Sequence, residues 1–151
     1  MTTIELRSLT RDNWHDCANL KVADDQQSFV APNLVSIAQS QFYPGTEMRA
    51  IYADSEMVGF IMWIIDTEQR PTRELWIWRF MIAAEHQRQG YGRAALRQVI
   101  DMLKAQGETE LFLSYEPENT GGAAFYRGFG FAETGRIEHG EIVVRLDMQG
   151  V

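Results

Sequence analysis

The segment Gln87-Arg88-Gln89-Gly90-Tyr91-Gly92 lies between an apolar run and an amphipathic one, and its residue types suit the capture of an anion. Backbone N–H groups at the start of a helix have no partner within it, and the helix dipole places partial positive charge at that end. Two glycines allow a pyrophosphate to approach the backbone closely. Arg88, Arg93 and Arg97 gather positive charge around this loop in an otherwise acidic chain. A second constellation, Asn119-x-x-x-Ala123-x-x-Tyr126-x-x-x-Gly130-Phe131, puts Asn119 at a helix N-terminus and Tyr126 two turns further along the same helix.

Competing chemistries fit less well. Gly90-Tyr91-Gly92-Arg93-Ala94-Ala95 formally satisfies the dinucleotide fingerprint G-x-G-x-x-A, with Glu110 about 20 residues on. In that fold the acidic residue ends the second strand, whereas Glu110 would begin it, and no full set of βα units follows. The Gly-Lys-Ser/Thr of a nucleotide-binding P-loop and the G-x-S-x-G elbow of a serine hydrolase are both missing from the sequence. His15, His86 and His139 have no metal-ligand spacing, and Cys17 falls on the apolar side of a helix; no metal is expected.

The elements that would position these residues are legible as periodicities. Ile4 to Arg7 alternates as a strand, and Trp14, Cys17, Ala18 and Lys21/Val22 then fall at helical spacing. Asp24 to Ser28 reads as a loop, after which Asn33 caps a helix with Leu34, Ile37, Ala38 and Phe42 on its apolar face, stopped by Pro44-Gly45. Met48 to Ile65 reads as two antiparallel strands around Asp54-Ser55-Glu56. Glu74 to Ile82 is apolar on both faces, the pattern of a central strand. Ala95, Leu96, Val99, Ile100 and Leu103 form the clearest helical stripe, ended by Gly107. Leu111 to Leu113 is a short strand, Asn119 to about Gly128 a short helix, and Phe131 to Ile137 with Glu141 to Leu146 a terminal hairpin around His139-Gly140. The expected fold class is α+β, a mixed sheet covered by helices in the order β-α-α-β-β-β-α-β-α-β-β, with residues 1–151 as one domain.

Composition narrows the partners. The chain has 151 residues, 14 Lys+Arg against 21 Asp+Glu, a net charge of −7 and one cysteine. Such a length can bury a core without disulfides or a structural metal, and a lone cysteine suits a reducing, cytoplasmic setting. The apolar stretch Met57 to Ile65 is far short of the ~18–20 residues of a membrane span. No membrane partner is therefore expected; a charge of −7 repels phosphate polymers, so nucleic acid is not an expected partner either, and cationic partners are favoured.

Gln87-x-x-Gly90-x-Gly92 after an apolar strand, followed by the Asn119/Ala123/Tyr126/Gly130-Phe131 pattern, resembles the GNAT N-acetyltransferase superfamily over the whole chain. The resemblance implies a GNAT-type fold with splayed central strands and acetyl-CoA as the donor co-substrate. It implies that backbone groups of Phe80, Met81 and Ile82 hold the pantetheine and thioester, and that Gln87, Arg88, Gln89, Gly90, Tyr91, Gly92 and Arg93 hold the pyrophosphate. Asn119 resembles the family's cofactor-contacting asparagine, and Tyr126 the tyrosine beside the sulfur, acting as general acid. That role is physically reasonable, because a thiolate whose acid has a pKa near ~8.5 benefits from a phenol donor as the C–S bond breaks.

The attacking amine must lose a proton, and many relatives carry a carboxylate within or just after the central strand. This chain departs from them, with no carboxylate from Trp76 to Ala84. Glu74, Glu85, Asp24 and Asp25 are the base candidates. Phe29-Val30-Ala31-Pro32-Asn33 with Ser36-Ile37, and the Trp76–Ile82 strand, are similar to bacterial spermine/spermidine acetyltransferases of the superfamily. Asp24, Asp25, Glu47 and Glu74 with Trp14, Phe29, Tyr43, Trp76 and Trp78 could form a slot for a cation on an aliphatic stem. The expected activity is acetylation of a primary amine such as spermidine or spermine. The alternatives are another small amine, a protein amine, or a non-catalytic acyl-CoA-binding module; a homodimer is the assembly considered.

Overall fold

The computed structural model describes residues 1–68 and 70–150. Seven strands form one mixed sheet in the spatial order β1-β2-β3-β4-β5-β7-β6. They are β1 (Ile4–Arg7), β2 (Thr46–Ala53), β3 (Glu56–Asp66), β4 (Glu74–Ile82), β5 (Glu110–Tyr115), β6 (Ala132–Glu138) and β7 (Glu141–Asp147). Helices α1 (Trp14–Ala18) and α2 (Asn33–Ser40) cover one face, and α3 (Tyr91–Ala105) and α4 (Thr120–Arg127) the other. The element order matches the periodicities, and no described helix is long and apolar enough to cross a membrane.

The core follows the α3 stripe. Ala95, Leu96, Val99, Ile100 and Leu103 are buried against Ile51, Ile61, Leu75, Ile77, Leu111 and Leu113. A smaller cluster on the opposite face joins Cys17 of α1 to Ala50, Tyr52, Phe60, Met62 and Met81, with Ile37 of α2 packed on it. Burial pushes the Cys17 thiol up to about 12, which keeps it protonated and inert.

Three local readings are corrected. The first helix ends at Ala18 rather than near Val22, because the chain turns there: Asn19 N–H donates to His15 and Asp16 carbonyls, and the Lys21 carbonyl accepts from Ala84 N–H at 2.9 Å. Asn33 is the first residue of α2, not its cap; Pro32 occupies the cap position. The Asn33 amide is drawn inward, donating to the Cys17 carbonyl at 2.9 Å. Asp24–Gln26 forms a one-turn 3₁₀ helix within the expected loop.

Two features of β4 shape the middle of the sheet. Met62 pairs with Arg79 and Trp63 with Ile77, so Trp78 is an extra residue, a bulge. Side chains alternate across a strand, and one extra residue shifts the phase: Leu75 and Ile77 face α3 before the bulge, Phe80 and Ile82 after it. The second feature is a split. β4 is parallel to β5 and pairs with it at Trp76–Phe112 alone, so from Ile77 onward the β5-facing backbone of β4 is free of ladder partners.

Candidate active site

The split between β4 and β5 opens a cleft of about 670 Å³. Phe80, Tyr115, Asn119, Phe125 and Tyr126 line it on the α3/α4 side. The remainder is walled by residues 28–31 before α2, by Tyr43 and Trp78, by the β3–β4 loop and by the β6–β7 turn.

Next to the split, the loop before α3 carries a row of donors. The N–H groups of Arg88 through Arg93 donate to no backbone carbonyl among the described residues, and the first N–H to do so is Ala94, to Gly90 at 3.1 Å. Gly90 takes the cap position with φ +82°, a left-handed conformation that glycine adopts without a Cβ penalty. Arg88, with φ +63°, holds the same region at a steric cost. Gln87 anchors the loop through its side chain, its Nε2 donating to the Ile82 carbonyl at 2.9 Å. Arg93 and Arg97 lie over the Phe129 ring at 5.2 and 4.9 Å, so both guanidinium groups are held at the loop's flank. A helix start with free donors, flanked by arginines and opening onto a strand edge, fits a diphosphate followed by an amide-bearing arm.

Asn119 caps α4, its Oδ1 accepting from Gly122 N–H at 3.0 Å. A Cβ on Gly122 would stand 2.5 Å from Asn119 Nδ2, so the glycine is what leaves the cap its place in the cleft. The sequence reading passed over Gly122, although a glycine three residues after a capping asparagine was the visible signal.

Tyr126 is wedged among rings, stacked on Tyr115 at 6.2 Å and edge-on to Phe125 and Phe131 at 5.3 and 5.8 Å. Burial raises its pKa well above the ordinary phenol value, so the hydroxyl stays protonated and available as a donor at physiological pH. Phe125, also absent from the sequence reading, lies between Tyr126 and Phe80 and completes this wall.

The structure distributes the expected base and acceptor residues unevenly. Phe29, Tyr43, Trp76 and Trp78 line the cleft, with Tyr43 edge-on to Trp78 at 5.0 Å. Asp24, Asp25, Glu85, Glu47 and Trp14 are not among its lining residues. Asp24 and Asp25 are exposed on the 3₁₀ turn, and Glu85 is exposed on a second such turn, Ala84–His86.

Glu74 is committed elsewhere. Arg136 Nη1 donates to it at 2.9 Å, Trp76 Nε1 at 3.1 Å, and Arg70 lies 3.2 Å away. Burial pushes its carboxyl up, but those partners outweigh burial and hold it below the ordinary range. A carboxylate so stabilised as an anion is a weak proton acceptor. The same network pins the β3–β4 loop to the terminal hairpin, since Arg70 forks onto Glu138 with both bonds at 3.0 Å and lies 4.0 Å over the Trp76 ring.

Acidity reaches the cleft from other places. Asp66, Glu68, Glu116, Glu138 and Glu141 line it, against Arg70 and Arg79. Glu141 accepts from the Ser114 hydroxyl at 2.8 Å, while the Glu68 and Glu116 carboxylates form no ion pair among the described residues. Arg79, just past the bulge, donates to the Trp78 carbonyl at 2.9 Å and to Gln39 at 3.0 Å. Burial lowers its pKa, and the charge of Glu141 partly offsets that.

The chain is similar to known proteins over most of its length. The chain is 24% identical over 147 residues to the spermine/spermidine N(1)-acetyltransferase of Bacillus subtilis, covering 94% of this chain and 97% of that one. Among solved structures it resembles the PaiA N-acetyltransferase of Thermoplasma acidophilum in complex with coenzyme A, with a TM-score of 0.72, 18% identity and coverage of 96% and 99%. It also resembles the spermidine N-acetyltransferase of Vibrio cholerae in complex with CoA and spermine, with a TM-score of 0.70, 19% identity and coverage of 94% and 92%. The model of the acetyltransferase (GNAT) family matches residues 6–131, which span α3, its donor loop and the split sheet. The chain therefore belongs to the GNAT acetyltransferase family and is an acetyl-CoA-dependent N-acetyltransferase.

Proposed function

We propose that the acceptor is a primary amine on a polyamine-like chain, and that it meets the acetyl group in the split between β4 and β5. The observation that carries this reading is the acidity of the cleft beyond the split, where five carboxylates face two arginines around the aromatic side chains of Phe29, Tyr43, Trp76 and Trp78. An aliphatic polycation suits such a wall, its methylenes lying against rings and its ammonium groups against carboxylates. The family relatives named for spermine and spermidine point the same way.

The roles of the site residues belong to the same proposal. The N–H groups of Arg88 to Arg93 bind the diphosphate of acetyl-CoA, and the unladdered edge of β4 at Phe80 to Ile82 aligns the pantetheine arm. Acetyl-CoA supplies the thioester carbonyl that the amine attacks and the thiolate that leaves. Tyr126 donates toward that sulfur. Glu116, just past the end of β5, and Glu141, at the start of the paired β7, are the proposed acceptors of the amine's proton, directly or through water.

The test is charge number. Exposed ion pairs supply only ~0.2–1 kcal/mol each, so a large preference requires several of them or partly desolvated ones. Spermidine and spermine are expected to exceed a monoamine of equal length at least ten-fold in kcat/KM at low salt, with the ratio shrinking as salt rises. Equal values for the monoamine and spermidine at low salt would overturn the polyamine reading.

A second reading rests on Arg79. A guanidinium beside the bulge could bind a carbonyl or carboxylate next to the reacting amine, as in an amino acid or a peptide N-terminus. Activity confined to those acceptors in the same panel selects it.

A further inference from the structure

Two loops on opposite sides of β4 are joined by a side-chain bond that the acetyl-transfer roles leave unexplained. Gln87 opens the donor loop before α3, and its Nε2 has two acceptors: the Ile82 carbonyl at 2.9 Å and Gln26 Oε1 at 2.7 Å. Because both hydrogens of that amide nitrogen are used, its orientation is fixed by the contacts. Gln26 ends the Asp24–Gln26 turn, and its own carbonyl accepts from Phe29 N–H at 2.9 Å. Residues 28–31 follow immediately and wall the acceptor part of the cleft. A backbone bond from Ala84 N–H to the Lys21 carbonyl, 2.9 Å, joins the same two segments nearby. Both glutamines are half-buried, so water competes only partly for their bond.

We infer that Gln26 is a positioning residue, which through Gln87 ties the acceptor wall at residues 28–31 to the loop that binds the diphosphate. It touches neither reactant by this reading. When the loop becomes ordered around a diphosphate, Gln87 is held in place, and the turn carrying Phe29 is held with it. The coupling is reciprocal, as any linkage between two sites must be. The inference rests on the assignment of the donor loop, and it does not depend on which amine is the acceptor.

The experiment uses the full chain with CoA as probe and reads backbone hydrogen exchange. With CoA, the parent is expected to gain protection both at residues 87–93 and at 26–31. Gln26→Leu, similar in size but without the acceptor oxygen, is expected to keep protection at 87–93 and lose it at 26–31, and Gln26→Glu to restore it. In steady state, the KM of the best amine is expected to rise about 2- to 13-fold in Gln26→Leu, the worth of one net hydrogen bond, with kcat and the Kd of CoA measured without amine within two-fold. Protection confined to 87–93 in the parent, the parental pattern in Gln26→Leu, or a rise in the Kd of CoA measured without amine that matches the rise in KM would each overturn the inference. Failure of the donor-loop assignment looks different, as CoA would then protect nothing at 87–93.

Discussion

Replacing Tyr126 by phenylalanine is expected to lower kcat by about 10²–10³-fold while leaving the affinity for acetyl-CoA nearly unchanged. The substitution removes a single oxygen. The ring is held by Tyr115, Phe125 and Phe131 and not by any hydrogen bond of its hydroxyl among the described residues, so the phenylalanine ring has every reason to stay in place. The magnitude follows from what one preorganised donor contributes where charge develops in the transition state. Its raised pKa refines the role. A phenol desolvated among rings is a poorer acid than a free one, so full proton transfer to a thiolate is uphill, and hydrogen-bond donation to the developing charge is expected to carry most of the effect. The same shift means that Tyr126 adds no basic limb to the pH–rate profile near neutrality. Stopped-flow measurement of thiol release, with chemistry shown to be rate-limiting, checks this; an unchanged kcat would assign Tyr126 to packing alone.

The donor loop gives the second large effect. Gly92 has an ordinary φ, and a Cβ there would lie 3.4 Å from Ile82 Cγ1, 3.5 Å from Phe80 Cζ and 3.9 Å from Phe125 Cζ. One methyl therefore fits at van der Waals contact. The two further methyls of a valine add bulk beyond that contact, beside Ile82, Phe80 and Phe125 and next to the loop's free N–H groups, and are expected to hinder the approach of a diphosphate. Hydrogen bonds to a charged group contribute ~1.5–3 kcal/mol each, so losing one corresponds to about 10- to 150-fold in affinity. Gly92→Val is expected to weaken CoA binding by about that factor in calorimetry, with Gly92→Ala within three-fold of the parent. Circular dichroism separates a folded variant from an unfolded one. Parental affinity in folded Gly92→Val would move the diphosphate away from this loop.

Legibility in the sequence followed the range of the interactions. The order of the elements is written in local periodicity, and the α3 stripe and the apolar run of β4 place the donor loop between them without any tertiary knowledge. Asn119 and Tyr126 were readable for the same reason, since a cap and a residue two turns later are fixed by one short helix. The bulge at Trp78 was not readable. Both faces of β4 are apolar, so a phase shift between Ile77 and Phe80 leaves no mark in hydropathy.

The carboxylates were the least legible part. Glu74 is a base candidate in the sequence because its partners, Arg70 and Arg136, come from two other segments, the second 62 residues away, and leave no local mark. Asp24 and Asp25 looked close to the acceptor because they precede Phe29 in the chain, whereas the 3₁₀ turn leaves them exposed. The acidity of the cleft comes instead from the β3–β4 loop, the end of β5 and the β6–β7 turn, segments that only the sheet order β4-β5-β7-β6 brings together. Short loops with scattered acids have no period, and their convergence is a property of topology alone.

The most direct test joins both halves of the cleft in one molecule. A conjugate of CoA with spermidine, linked through an acetyl bridge to a terminal nitrogen, spans the donor loop, the split and the carboxylate-lined wall. A conjugate of the same length bearing a neutral alkyl chain is its control, because it keeps the apolar contacts and lacks the charges. By calorimetry at low salt, the spermidine conjugate is expected to bind at least 100-fold more tightly than CoA, through the tethering of two sites, and at least ten-fold more tightly than the neutral conjugate. Equal affinity of the two conjugates, or a spermidine conjugate no tighter than CoA, would contradict a polycationic acceptor in this cleft.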